Sequence, residues 1–350
     1  MGVTGRVRTA ALPFAVAGLI AACTTAEPHP RAGGSPPPAG ELESSESPTG
    51  IAQRRADLPD PRTEVAGTGW NGQIVAVGGL DAQGRAVTNM DVYHPATDAW
   101  SRGPALPVAL HHTAVATLDD RLYVIGGYTI DGRAWVPQAA VWSIGPGEDE
   151  WQPAPSLGSP RGALAVAATG DRLVAVAGVG PGDQVLTSTE VLQSSAERER
   201  ASDSEPPGQG WVAGPELSTP REHLAATATG DEVYAITGRS GGLETNYDSV
   251  EVLRDGAWQD APPLTSSRGG IAAATVDGMP CVAGGEEPAG TIGSIECLTD
   301  DRWQVVDELD VPRHGLAVTA LDGALHVIGG GPEPGLTVSG VHEVIDVTAP

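Results

Sequence analysis

The sequence contains no lysine and only one phenylalanine, Phe14, in 350 residues. Its 20 basic side chains are all arginine and face 45 acidic ones, for a formal charge of -25. A field of that sign repels polyanions, which excludes nucleic acid or an acidic membrane patch as the main partner. The apolar stretch Thr9 to Ile20 falls short of the roughly 20 residues that a bilayer-crossing helix needs. What is plentiful is punctuation, with 47 Gly and 30 Pro. That density suits short strands and tight turns and argues against a helical bundle. The length accommodates one large all-β domain or two ordinary ones.

The N-terminus reads as a processing signal. Arg6 and Arg8 precede the apolar stretch, and the small residues Ala21 and Ala22 precede Cys23. The string Leu19-Ile20-Ala21-Ala22-Cys23 resembles the lipobox of bacterial lipoproteins. The resemblance makes residues 1–22 a signal peptide and Cys23 the lipidated first residue of an exported protein, held to the cell-envelope membrane by acyl chains. Residues 23–50 are rich in Pro, Gly, Ser and Glu, with almost no large apolar side chains. Such a segment cannot offset its ordering entropy by burial and is expected to act as a tether.

Beyond it the chain repeats. Six segments end in a hydrophobic run and a small-Gly pair, whose second Gly falls at 79, 127, 178, 238, 285 and 330. Seventeen positions earlier stand Arg62, Leu110, Arg161, Arg221, Arg268 and Arg313, each preceded at four residues by Leu. Ten positions before the last five of these stand Trp100, Trp151, Trp211, Trp258 and Trp303. A β-rich stretch such as Met90-Asp91-Val92-Tyr93 or Val250-Glu251-Val252-Leu253 follows each Gly pair. Each unit thus supplies four short strands joined by Asp/Gly turns, and a lone four-stranded sheet must stack on neighbours to cover its faces.

This pattern resembles the kelch family over about residues 51–349. The resemblance implies an all-β fold, a six-bladed β-propeller spanning residues 51–350. The sixth unit ends without its Trp strand, and Ala52 to Leu58 sits at that offset upstream of the first unit. The N-terminal strand is therefore expected to close the ring and remove two open sheet edges.

Strand parity places a candidate site on the face carrying the loops after the Gly pairs. There Arg62, Arg161, Arg221, Arg268 and Arg313 are expected to form a broken ring at the channel mouth. Glu64, His112 and His223 lie two residues beyond the Arg position and are expected to point the same way. Arg forks suit a carboxylate-bearing ligand, and in kelch adaptors of ubiquitin ligases the corresponding Arg contact acidic peptides. The opposing expectation is that a repeat-wide Arg bonds loop carbonyls between adjacent blades. Trp135, on a loop of the same face, is a candidate for ligand stacking, whereas the repeat Trp residues are expected to pack between blades.

Other strings carry less. Gly238-Arg239-Ser240-Gly241-Gly242 matches a nucleophile-elbow string, but the motif needs a strand-to-helix turn. His111 and His112 are adjacent on a strand and the other His are scattered, so no metal site and no cofactor are expected. Cys281 and Cys297, on neighbouring strands of the fifth unit, can stand opposite one another; a disulfide and two buried thiols both remain open.

Three functions follow. The first is a membrane-anchored, extracytoplasmic, monomeric binding module taking a protein segment or an acidic carbohydrate. The second is a carbohydrate-acting enzyme similar to N-acetylneuraminate epimerase. The third, a copper oxidase similar to galactose oxidase, needs a Tyr–Cys crosslink that two cysteines within one unit cannot supply.

Overall fold

A computed structural model of the protein describes residues 52–197 and 210–347. The signal peptide, Cys23, the tether and most of the hydrophilic 194–210 insertion lie outside the described residues. No described helix is long and apolar enough to cross a membrane.

The described residues form six four-stranded antiparallel sheets. In the first blade the strands are Ala66–Trp70, Gln73–Val77, Met90–His94 and Ala99–Arg102, in sequential order. The innermost strands of the other blades are Ala114–Leu118, Ala165–Ala168, Ala225–Thr229, Ala272–Val276 and Ala317–Leu321. Each packs against its neighbours, and the last returns to the first, so the six surround a channel. Their alanines follow from that position, because six strands converging on an axis leave little side-chain room. At the seam between the sixth and first blades, a Cβ added to Gly67 would lie 2.7 Å from the Cβ of Ala317. Second strands such as Gln73–Val77, built of Ile, Val and Ala and almost wholly buried, supply the cores between blades.

The ring closes through the N-terminal strand. Gln53–Arg54 pairs with His342–Ile345, Gln53 opposite Val344 and Arg54 opposite Glu343. Four of the five repeat Trp residues tie one blade to the next through an indole hydrogen bond, whereas the indole N–H of Trp303 is buried without a partner. The indole N–H of Trp151 donates to Pro104 O, that of Trp211 to Pro155 O and that of Trp258 to Pro215 O, each at 3.0 Å. In every case the acceptor follows the outer strand of the preceding blade. Trp100 of the first blade donates to Ala56 O at 2.7 Å, just after the closing strand. Residues 52–56 therefore serve as the missing outer strand both in pairing and in anchoring the next blade. In the fifth blade Cys281 and Cys297 are cross-strand partners joined by a disulfide, with Cα atoms 4.1 Å apart.

The arginine ring proves to be internal. Arg62, Arg161, Arg221, Arg268 and Arg313 are all fully buried and turn into their own blades. Arg62 pairs with Asp91 at 2.8 Å, Arg161 with Glu190 at 2.8 Å, Arg221 with Glu251 at 2.8 Å and Arg313 with Glu343 at 2.7 Å; Arg268 pairs with Glu296. Other guanidinium donors reach carbonyls just past the ends of second strands, such as Ala177 O and Thr237 O, while the Nε groups of Arg221, Arg268 and Arg313 are buried without a partner. Glu190, Glu251 and Glu296 accept in turn from the backbone N–H groups of Gly158, Ser218 and Thr265, in the loops that lead into the Arg. The second blade tests this assignment within the chain. Leu110 replaces the Arg, and Trp142, opposite Val124, occupies the register position that the acid holds elsewhere. Leu110 and Trp142 pack in one apolar cluster. Arg and acid are lost together, which is how a buried ion pair is replaced without stranding a charge.

Candidate functional site

What faces the channel mouth is the residue two positions beyond each Arg. Glu64, His112, Ala163, His223, Gly270 and Gly315 all have positive φ, between 49° and 67°. Their backbones form a belt. His112 N–H donates to Glu64 O, Ala163 to His112, His223 to Ala163, Gly270 to His223 and Gly315 to Gly270, at 2.8 to 3.3 Å. Val65 N–H donates to Gly315 O at 3.2 Å and completes the circle. The left-handed turn breaks the period-2 alternation on which the sequence expectation relied. Thus the Arg side chains enter the blades while the belt side chains meet at the axis.

Glycine is the unstrained choice at such a position, yet the chain places Glu64, His112 and His223 there, at a backbone cost that persists only where the surroundings enforce it. They line one end of a central cavity of about 440 Å³ whose wall is otherwise mostly Ala, Gly and Thr. His112 Nε2 lies 3.2 Å from Glu64 Oε2 and 3.0 Å from His223 Nε2. Residues 111 apart in sequence are therefore in contact, which corrects the view of the histidines as scattered. His111, bridged to Tyr128, brings its Nδ1 within 2.6 Å of His112 Nδ1. His223 Nδ1 is hydrogen-bonded to Glu222.

A second tier surrounds the belt. Each residue preceding a belt position forms a β-bridge with the one after the Gly pair, among them Glu222 with Arg239, Gly269 with Glu286 and His314 with Gly331. Gly238 makes this approach possible: its φ is +93° and an added Cβ would stand 2.7 Å from Glu222 O. Arg239 spans the two carboxylates, 3.1 Å from Glu222 and 2.9 Å from Glu286. His314 Nδ1 stands 3.6 Å from Glu64 and 3.7 Å from Glu286. The mouth thus carries three carboxylates and one guanidinium, the reverse of the cationic ring expected.

Burial drives the proton affinity of His112 well down, against the opposing pull of Glu64. His111 is lowered by burial to about 4. For His314, burial acts downward but is outweighed by Glu64 and Glu286, so the net shift is upward. Burial also opposes ionisation of Glu64, but the surrounding imidazoles hold it well below the usual carboxylate range.

The hairpin Tyr128–Asp131 and Ala134–Pro137 rises over this group. Trp135, 48% exposed, stands 5.0 Å from the His112 ring and 4.7 Å from the His111 ring, centroid to centroid. Of the expected site residues, Glu64, His112, His223 and Trp135 are brought together and the five arginines are not. Arg239, Glu286 and His314 join the group without having been singled out, and Glu222, expected to act beside Arg221 in an enzymatic reading, joins it without that arginine.

Comparison with known proteins agrees with this architecture. The Kelch motif family matches residues 61–107 and 109–158, the first two blades. The chain is 29% identical over 236 residues to the Kelch-like protein terF of Aspergillus terreus, covering 65% of this chain and 50% of that protein. It is 26% identical over 206 residues to beta-scruin of Limulus polyphemus, covering 57% of this chain and 21% of scruin. It therefore spans about half the length of the first relative and about a fifth of the second. The solved structure of YjhT superposes with a TM-score of 0.70 over 84% of this chain and 97% of that one, at 16% identity, a likeness of fold. The protein is a six-bladed β-propeller. Its first two blades match the Kelch motif, and the chain is similar to kelch-like proteins.

Proposed function

We propose that this kelch propeller is an extracytoplasmic, lipid-anchored binding module that takes a saccharide at the belt mouth. Burial of the five arginines removes the guanidinium basis for an anionic ligand. The observation that carries the reading is the half-exposed Trp135 standing over a rigid ring of buried hydrogen-bonding groups. An indole face that covers a sugar ring, beside carboxylates and imidazoles that bond its hydroxyls, is a common division of labour in a concave site. The lipobox-like string at Cys23 supports the anchoring. Glycan-array binding followed by titration of the wild type and Trp135→Ala tests the site: loss of binding in a variant with unchanged melting is expected. Failure of the wild type to hold any glycan, or capture of a peptide instead, overturns it. Cys23→Ser should release the protein from membranes; retention would refute the anchor.

A carbohydrate-acting enzyme is the second reading. It is favoured by the ionised Glu64 beside imidazoles, an acid–base pair in a cleft. The pairs Arg62 with Glu64 and Arg221 with Glu222 do not serve it, because both guanidiniums are buried inside blades. Anomer exchange of free sugars followed by NMR decides the matter, and a rate equal to the uncatalysed one excludes it.

A further inference from the structure

We propose that Glu64, His112 and His223 form a site for one divalent first-row transition-metal ion. Three donor atoms, one from each residue, lie within 4.8 Å of one another, and each residue comes from a different blade. Two ligands bound at about 2.0–2.1 Å, at angles between octahedral and tetrahedral, stand roughly 2.9–3.4 Å apart. The His112 to His223 and His112 to Glu64 separations, 3.0 and 3.2 Å, fall in that interval; Glu64 and His223 lie within 4.8 Å of each other and must come inside about 4.2 Å, a side-chain adjustment, to reach the same ion.

The outer nitrogens decide what faces inward. Nδ1 of His223 is bonded to the Glu222 carboxylate, which only accepts, so the ring proton sits on Nδ1 and Nε2 offers its lone pair. Nδ1 of His112 meets Nδ1 of His111 at 2.6 Å, and one of the two must donate. With the proton on His112, its Nε2 is also a bare lone pair, and His111 carries its own proton on the buried Nε2, which has no hydrogen-bond partner. In this tautomer two imidazole lone pairs and a carboxylate oxygen converge on a point that a cation can occupy; with the proton on His111 Nδ1 instead, His112 Nε2–H donates toward Glu64 or His223, and a metal ion would displace that proton.

The setting is that of a built site. A carboxylate–imidazole pair behind the ligand, here Glu222 behind His223, fixes ring orientation and raises basicity at the metal-facing nitrogen. His314 approaches the other oxygen of Glu64 at 3.6 Å. All three ligands sit at left-handed positions of the backbone belt, where glycine would be cheaper. Two imidazoles and one carboxylate select zinc, iron(II) or their neighbours over magnesium and calcium. The remaining coordination positions face the channel, open to water or to an oxygen of a bound ligand.

The test uses the whole chain, stripped with chelator and titrated with Co²⁺ and Zn²⁺. One equivalent of Co²⁺ per chain, with visible ligand-field bands, and perturbed imidazole resonances of His112 and His223 are expected. Asn tolerates left-handed backbone, so His112→Asn and His223→Asn keep the belt. Each should weaken uptake at least a hundredfold, and Glu222→Gln, which acts through His223, about tenfold to a hundredfold. His326→Gln, remote from the mouth, should leave uptake unchanged. Absence of stoichiometric Co²⁺ in the wild type, imidazole resonances that do not move, or undiminished uptake in folded His223→Asn overturns the proposal. No saccharide enters the measurement, so metal binding and ligand binding stand or fall separately.

Discussion

Replacing Arg221 by Leu would strand the Glu251 carboxylate inside the fourth blade. That carboxylate is buried and accepts from the Arg221 guanidinium at 2.8 Å and from Ser218 N–H at 2.8 Å. With the guanidinium gone, one backbone donor remains to offset the desolvation of a full charge. Breaking a buried pair from one side costs about 3–5 kcal/mol, a large share of the roughly 5–15 kcal/mol that holds a domain folded. Glu251→Leu leaves Arg221 with two carbonyls, Thr237 O and Ser249 O, each at 2.9 Å, and the Ser249 hydroxyl at 3.3 Å, and orphans Ser218 N–H. Its cost should be comparable. The double variant Arg221→Leu/Glu251→Leu removes both charges and copies the solution already present as Leu110 with Trp142. It should therefore be more stable than either single change. Equilibrium urea unfolding of the four proteins closes the cycle, with an expected coupling of several kcal/mol. Additive losses, or a loss below about 1 kcal/mol for Arg221→Leu, would refute the pairing and return the arginine to the surface.

Other consequences are open to measurement. Deleting residues 51–60 removes the closing strand and the Ala56 acceptor of Trp100, so the whole body should melt at least 10 °C lower; an unchanged midpoint would show that the ring closes without it. Cys281→Ser/Cys297→Ser opens a loop with a sequence separation of 16, and a loop of this size contributes about 3 kcal/mol when closed; equal unfolding midpoints with and without reductant would contradict the bond. Acid should loosen the seam between the sixth and first blades. His326 and His342 are lowered by burial to about 4 and about 3, each also disfavoured by Arg55, while Asp322 acts in the opposite direction on His326 and Asp98 on His342. Both folded values lie below the unfolded one, so stability is full above pH 6.5 and is lost as pH falls through that value towards the folded pKa values. At pH 5 the loss is about 2 kcal/mol per imidazole, and His342→Gln should flatten the dependence between pH 7 and 5 in urea titrations.

The architecture was legible because it is written six times. Paired glycines, the Leu and Arg before them and the outer-strand Trp occur at fixed offsets, and each offset corresponds to a repeated contact, as with the Trp donors to the carbonyls after the preceding outer strand. The Arg was misread because its partner lies 28 to 30 residues away at the start of the third strand, and only the paired loss at Leu110 and Trp142 reveals the coupling. That signal was present in the sequence: Asp91, Glu190, Glu251, Glu296 and Glu343 recur in five units and fail in the same unit that lacks the Arg. The mouth was harder, because its chemistry lies where the units differ. Position two beyond the Arg reads Glu, His, Ala, His, Gly, Gly around the belt, and the position before it reads Thr, His, Gly, Glu, Gly, His. A scaffold position recurs because every blade needs it; a site assembled at a six-fold axis needs a given side chain only once. Departures from the repeat at axial positions that favour glycine are therefore where function should be sought. By that criterion Glu64, His112 and His223 stand out, together with the Glu222, Arg239 and Glu286 bridge that braces them.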